Sequence, residues 1–315
     1  MKLQSFSLAD QTITLQEHPK VWSPFSADRI LQVLLEQGYL DDLADRHVLD
    51  FCTGSGILGI MCGRLGAAAV TLSDYCTIAL AIATQNAHRN GLTNVRAIHS
   101  DRFAQIPTQS YDLILCNPPV QPWLYTDLND QAHRQRVEAW NEAGADGRLV
   151  LDSLLLEAMD YLKPGGKLVT ATSSRHGYRK TQRLLDHHWP GRWREIYRAE
   201  QRILPAYHGP YLQSWLEMQT HDLDWRVYQK DEHDRPFAVY TDAQGEIWLL
   251  TDTGNIPESI PICWQRQQGI WQAIGGLRAQ ESTSMVLSDA QANRLLERSQ
   301  AGDWYYTYHL LEAVR

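Results

Sequence analysis

His47-Val-Leu-Asp50-Phe51-Cys52-Thr53-Gly54-Ser55-Gly56-Ile57-Leu58-Gly59 decides how this chain folds. Val48, Leu49 and Phe51 form a short buried-strand pattern, Gly54-Ser55-Gly56 interrupts it, and an apolar run of helical length continues to about Leu65. Strand, glycine turn and helix in that order make a βα unit whose turn offers backbone N–H groups at a helix N-terminus to a ligand. The chain then repeats the unit. Ala69 to Asp74 is a second strand ending in a carboxylate, and the helix from Thr77 to Asn90 is stopped by Asn90-Gly91. Val95 to His99 is a third strand, leading into Ser100-Asp101-Arg102-Phe103. Tyr111 to Cys116 is a fourth, running straight into Asn117-Pro118-Pro119.

Upstream, Val21-Trp22-Ser-Pro24 leads to a helix from Ala27 to Gln37, with Ile30, Leu31, Leu34 and Leu35 at helical spacing. Downstream, Leu149 to Leu162 reads as a helix, Lys163 to Lys167 as a turn, Leu168 to Thr172 as a fifth strand and Tyr178 to His188 as a basic helix. Trp193 to Ile203 and Tyr211 to Met218 read as two further strands at an antiparallel edge. The alternation predicts an α/β fold around a mostly parallel sheet. Past Thr220 the pattern changes to short strands and turns with five of the 11 tryptophans, and a late helix from Ser288 to Glu297. The expected organisation is a helical, ligand-covering segment over 1–45, an α/β domain over 46–220 and a small β-rich C-terminal domain over 221–315. Buried aromatics account for those tryptophans more simply than a binding surface does.

Composition narrows the function. The net charge of −8 divides unevenly: residues 1–220 hold 21 Lys+Arg against 23 Asp+Glu, the remainder 8 against 14. An acidic C-terminal unit is a poor partner for phosphate backbones. Against that trend, Arg175, Arg179, Lys180, Arg183, Arg192, Arg194, Arg198 and Arg202 cluster, either as a solvated face or as a contact for an acidic or nucleic-acid partner. No run of about 18 apolar residues and no apolar leader is present, and an odd cysteine count without metal-ligand spacing fits a reduced cytoplasm; the expectation is a cytoplasmic chain with no membrane partner and no metal. Val120 to Arg148, with Trp123, Tyr125 and Trp140, is long and polar, as a lid or substrate loop would be.

Gly54, Gly56 and Gly59 satisfy G-x-G-x-x-G, and Asp74 lies 18 residues past Gly56, near where a nicotinamide enzyme places its ribose carboxylate. Asp50 before the turn, Asp101 after strand three and Asn117-Pro-Pro after strand four separate the readings, because hydride transfer has no use for the last. Proline lacks an N–H and holds the preceding residue extended, so Asn117 and Pro118 keep rigid carbonyls outside any ladder.

Asp50-Phe-Cys-Thr-Gly-Ser-Gly56, Asp74, Asn86-Ala87, Asn90-Gly91-Leu92, Ser100-Asp101-Arg-Phe103, Asn117-Pro-Pro119, Gly144-Ala-Asp-Gly147 and Leu162-Lys-Pro-Gly-Gly166 together resemble class I S-adenosylmethionine-dependent methyltransferases, over about residues 20–220. Within them the likeness is to the Asn-Pro-Pro enzymes, the release-factor glutamine methyltransferases and the wider small-domain family. The resemblance implies a Rossmann-like sheet, S-adenosylmethionine as cofactor, and N-methylation of a protein amide or a small-molecule nitrogen. Gly54 and Gly56 would let the backbone approach the methionine part, Asp74 would hold the ribose hydroxyls and Asp101 the adenine amino group with Phe103 beside the ring, and Asp50, Thr53 and Asn117 would complete the cofactor-binding set. Asn117 and Pro118 would orient the acceptor nitrogen. Pro119, Val120, Trp123 and Trp22 would line the acceptor. Relatives with planar acceptors usually carry an aromatic residue where this chain has Val120. RNA-base methylation and a non-catalytic cofactor-binding regulator remain as alternatives.

Overall fold

The computed structural model describes residues 2–21, 25–122, 143–204, 210–241, 245–251, 262–267, 269–275, 286–300 and 302–315. The chain opens with an antiparallel hairpin, β1 (Leu3–Leu8) and β2 (Gln11–Gln16), where sequence reasoning saw only helix and connection. Ile13 and Leu15 point inward and are fully buried, so one face of the hairpin belongs to the core. The helix α1 (Phe25–Glu36) follows, then the alternating series β3 (His47–Phe51), α2 (Ile57–Arg64), β4 (Ala69–Asp74), α3 (Thr77–Arg89), β5 (Val95–His99) and β6 (Tyr111–Cys116). After it come α4 (Leu149–Tyr161), β7 (Leu162–Ser173), a 3-10 turn (Ser174–His176), α5 (Tyr178–His188) and β8 (Trp193–Arg202). Strands β3 to β7 pair in parallel, as their alternation with helices requires.

Two further elements differ from the sequence reading. Tyr211 to Met218 is not an edge strand but part of helix α6 (Pro210–His221). Leu212, Trp215, Leu216 and Gln219 are buried at a spacing of three and four, a helical stripe, and proline begins the helix where its missing N–H costs nothing. The edge is completed instead by the chain's last strand, β15 (Tyr305–Val314), which enters between β7 and β8 and runs antiparallel to both. The central sheet order is therefore β5-β4-β3-β6-β7-β15-β8. Residues 221–315 thus do not form one separate unit, because β15 is an interior strand of the α/β sheet. Its side chains are buried on both faces, Leu310 at 0% exposure and Leu311 at 1%, as an interior strand demands.

Between α6 and β15 lies a second sheet, antiparallel throughout, of β9 (Gln229–Lys230), β10 (Pro236–Thr241), β11 (Ile247–Thr251), β12 (Ile262–Gln267), β13 (Ile270–Gly275) and β14 (Val286–Leu287). Helix α7 (Asp289–Ser299), started by a Ser288/Gln291 capping box, packs on one face with Trp264 and Trp271. Helix α6 packs on the other with Val227, Tyr240 and Cys263. The β-rich unit is an insertion, and both of its connections leave and re-enter beside the same edge of the central sheet.

Two cores sandwich that sheet. The hairpin, α1, α2 and α3 cover one face over Val48, Leu113 and Leu115, and α4 and α5 cover the other over Leu49, Ile114 and Leu168. The carboxyl ends of the parallel strands are left open, which is where open α/β sheets bind ligands.

Candidate active site

A cavity of about 640 Å³ runs along those strand ends. It is large enough for a nucleoside-sized ligand together with part of a second one. Its floor is the end of β3, the glycine turn and the start of α2.

Asp50 ends β3 with 1% of its surface exposed, and its Oδ2 accepts from Thr53 Oγ1 at 2.7 Å and from the Gly59 amide at 2.9 Å. The carboxylate thereby clamps the glycine turn to the start of α2. Burial pushes its carboxyl up to about 7, moderated by those two donors. Gly54 and Gly56 both have positive φ, 54° and 89°, but for different reasons. A Cβ on Gly56 would lie 2.7 Å from Ile60 Cδ1, so that glycine serves packing. A Cβ on Gly54 would meet nothing within 4 Å, because it would project into the cavity where a ligand must approach the backbone. Asn86, fully buried on α3, donates to the Ser55 carbonyl at 2.9 Å and accepts from the Gln16 amide at 2.7 Å, so the hairpin braces the turn from behind.

Asp74 ends β4 and accepts from the Gly54 amide at 2.9 Å and the Cys76 amide at 2.8 Å. Burial holds its carboxyl above the usual range against those two amides. Each oxygen keeps lone-pair capacity for a hydroxyl of a bound ligand. Asp101 and Arg102 line the cavity beyond β5, with the Asp101 carboxylate held by Arg102 Nε at 3.0 Å. Phe103 is elsewhere: buried, it stacks between Phe51 at 4.4 Å and Tyr161 at 4.2 Å and does not line the cavity. A phenylalanine after the aspartate reads equally as ring partner or as core, and here the core takes it. The exposed ring on that side is Tyr75, stacked on His99 at 6.1 Å.

Asn117, Pro118, Pro119 and Val120 follow β6 along the cavity wall. Gly147 packs directly beneath them, since a Cβ there would lie 2.7 Å from the Val120 carbonyl oxygen. Trp22 and Trp123, with Tyr125 and Trp140, lie outside the described residues. Arg148, next to Gly147, is fully buried and pairs with Asp152 at 2.5 Å while donating to Thr181 Oγ1 at 2.9 Å and to the carbonyls of His176 and Gly177. It ties the start of α4 to the 3-10 turn. Nothing in the sequence pattern distinguishes it from a solvated arginine before a helix.

The other half of the wall has residues that sequence reasoning did not select. Thr172, Ser173, Arg175 and His176 come from the end of β7 and the 3-10 turn, Gln201 to Leu204 from the end of β8, Trp215 from α6, and Tyr306 and Tyr308 from β15. Arg175 lies over the Tyr306 ring at 3.7 Å and the Trp215 ring at 4.7 Å. Burial, with Arg175 and Arg148 nearby, holds the His176 imidazole well below its ordinary pKa, hence neutral.

The residues fit S-adenosylmethionine. The open space over Gly54, the Asp74 carboxylate two strands from the Asn-Pro corner and the acidic lining suit a ligand with backbone-bound carboxylate, ribose diol and cationic centre. Among the described residues no group of three metal-ligating side chains gathers, and no helix is long and apolar enough to cross a membrane.

Residues 12–136 match the model of the methyltransferase small domain. A protein of Methanocaldococcus jannaschii provisionally named a protein N5-glutamine methyltransferase is 33% identical over 169 residues, 54% of this chain and 80% of that one. The ribosomal protein uL3 glutamine methyltransferase of Francisella tularensis is 37% identical over 134 residues, 42% of this chain and 43% of its own. The chain thus spans most of the archaeal relative but less than half the length of the uL3 enzyme. Among solved structures, the 16S rRNA N2 G1207 methyltransferase of T. thermophilus, in complex with AdoMet and guanosine, superposes with a TM-score of 0.49 at 21% identity, over 62% of this chain and 47% of that one.

Proposed function

Because the chain belongs to the methyltransferase small-domain family and is an S-adenosylmethionine-dependent methyltransferase, we propose that it methylates the side-chain amide nitrogen of a glutamine in a protein. The observation that carries this reading is the corner itself: Asn117 and Pro118 stand on the cavity wall one strand away from the Gly54 turn. Curated relatives named for glutamine methylation point the same way.

The chemistry follows from what an amide needs. Its nitrogen lone pair is delocalised, so it must be turned toward the methyl donor. The Asn117 side-chain oxygen and the Pro118 carbonyl would each accept one N–H, fixing that orientation and stabilising the positive charge that grows on nitrogen. The cofactor supplies an electrophilic methyl group carried on a sulfonium. Nitrogen would gain the methyl as the carbon–sulfur bond breaks, and the surplus N–H proton would then leave to water, so no base would have to act beforehand. Asp74 would hold the ribose and Asp101 the adenine amino group, with Asp50 and Thr53 shaping the turn beneath the ligand. Exposed Leu149 and Leu204 at the cavity rim suit an acceptor borne on a polypeptide.

A nucleic-acid acceptor is the second reading, favoured by Arg179, Arg183, Arg194, Arg198 and Arg226 around a cleft beside α5 and β8. Asp186, Glu195 and Asp224 share that cleft and offset the charge. To separate the two, protein and RNA fractions of cells lacking the enzyme would be incubated with it and methyl-labelled cofactor. Label recovered as N5-methylglutamine, absent with Asn117→Ala, is the expected result; label confined to RNA would overturn it.

A further inference from the structure

Asp224, Trp225 and Arg226 lie on the connection from α6 into the β-rich insertion, and in succession they grip three elements that border the cavity. The Asp224 carboxylate accepts from the Arg179 and Lys180 amides at 3.1 and 2.8 Å, satisfying two N–H groups at the start of α5. Trp225, 2% exposed, lies against Gly177, where a Cβ would come within 2.7 Å of its ring, and its Nε1 donates to the Asp146 carbonyl at 3.3 Å. Arg226 exchanges two bonds with Ser174: its amide donates to the Ser174 carbonyl at 2.6 Å, and its carbonyl accepts from Ser174 Oγ at 2.7 Å. The return connection closes on the same joint. The Thr307 amide donates to Ser174 Oγ at 3.0 Å, and Tyr228 and Tyr305 exchange backbone bonds at 3.0 and 2.7 Å. The insertion therefore leaves the central sheet on one short antiparallel stalk, rooted on the 3-10 turn.

What the root grips lies directly behind the cavity wall. Ser174 stands between Ser173 and Arg175, both on the wall. Asp146 precedes Gly147, which is packed against the Val120 carbonyl oxygen, and Val120 follows Asn117-Pro118-Pro119 on the same wall. Close-packed interiors pass a displacement on, because no empty space takes it up. A misplacement of about 1 Å at reacting groups costs on the order of 100-fold in rate.

We propose that Trp225 is a positioning residue for methyl transfer: by joining the Asp146 carbonyl to the 3-10 turn, it holds the Asn117-Pro118 corner in register with the β7 end of the cavity. The root of the insertion thereby contributes to turnover without touching either ligand. The inference rests on the reading of Asn117 and Pro118 as the pair that orients the acceptor nitrogen.

The test uses the full chain in two variants. Trp225→Phe keeps a ring against Gly177 and loses only the Nε1 donor, whereas Trp225→Ala loses both. Nitrogen–proton correlation NMR of the chain saturated with S-adenosylhomocysteine reads the geometry: the Gly147 and Val120 amide signals and the Asn117 side-chain signals should move in both variants, while those of Gly54 and Cys76 stay. Methyl-labelled cofactor with the protein fraction of cells lacking the enzyme reads turnover. It should fall about threefold in Trp225→Phe, the scale of one neutral hydrogen bond, and at least tenfold in Trp225→Ala. S-adenosylhomocysteine affinity and stoichiometry should stay within about twofold of the native chain. A tryptophan that only supports the fold would lower turnover and binding stoichiometry in equal proportion and leave the Val120 and Asn117 signals of the folded molecules in place; that result overturns the proposal, as does turnover unchanged in both variants. Should Trp225→Ala fail to fold, Trp225→Phe decides alone. A native chain that labels no protein would sink the glutamine acceptor by itself, and the NMR signals would still decide the role of Trp225, moved signals upholding it and unmoved ones overturning it.

Discussion

The two ends of the cavity are built in opposite ways. At the end we assign to the cofactor, Asp50, Gly54, Asp74, Asp101 and Asn117 come from consecutive βα units within 68 residues. At the other end, Thr172, Gln201, Trp215 and Tyr308 converge from β7, β8, an inserted helix and the last strand, spread over 137 residues. The first end is a property of local sequence; the second is a property of topology. A chain can therefore keep the first end unchanged while elements added after β7, such as α6 and β15, reshape the second.

The sharpest way to break this division is at the corner where the ends meet. Asn117→Ala would remove one of the two acceptors proposed for the amide nitrogen, and losing a comparable pre-arranged polar contact costs about 100- to 1000-fold in turnover. Methyl transfer should fall by that order, with S-adenosylhomocysteine binding reduced far less in a calorimetric titration. Equal losses in both would place Asn117 wholly at the cofactor end.

Leu310→Ala tests the topology. Leu310 is fully buried in β15, between β7 and β8. Its truncation should cost about 2–5 kcal/mol of the α/β core's stability. Urea unfolding followed by exchange of the β6 and β7 amides would read it, and destabilisation confined to the β-rich insertion would remove β15 from the central sheet.

Gly54→Val asks less of the fold and more of the ligand. The Cβ meets no protein atom, so the structural cost is that of a positive φ, about 1–2 kcal/mol. Yet the side chain would fill the space over the turn, and S-adenosylhomocysteine affinity should drop at least tenfold. Gly56→Ala should do the reverse, destabilising the fold through Ile60 and Ala83 with a smaller effect on affinity.

These contrasts mirror what could be read in advance. The glycine turn, the carboxylates at the ends of β3 and β4 and the Asn-Pro-Pro corner are legible as places on the cavity wall because each place is fixed by a residue's distance along the chain from a strand end. Phe103 was not, since an aromatic residue after a strand can turn to ligand or to core, and Phe51 and Tyr161 decide between them. Helix α6 was missed because its aromatic and apolar residues resemble a strand unless the spacing of Leu212, Trp215, Leu216 and Gln219 is weighed first. β15 was out of reach for another reason: its partners lie more than 100 residues upstream, and no local pattern reveals a strand's neighbour.

The smallest effect lies in pH. Asp50, at about 7, is still partly protonated at neutrality, and Asp74 is raised by burial as well. For a carboxyl held above its unfolded value, the folded state binds the proton more tightly. Its contribution to stability is therefore full below about pH 4 and declines as pH rises through about 7. Ligand binding has the opposite sign, because a cationic ligand beside these carboxyls favours their ionised forms and releases a proton. S-adenosylmethionine affinity should rise by about fivefold from pH 5.5 to 7.5 and level off above, with proton release shown by buffers of different ionisation enthalpy. Asp50→Asn keeps an oxygen for Thr53 and Gly59 but cannot titrate. It should flatten both the affinity profile and the loss of stability between pH 4 and 7, and a profile unchanged in that variant would move the titration to Asp74.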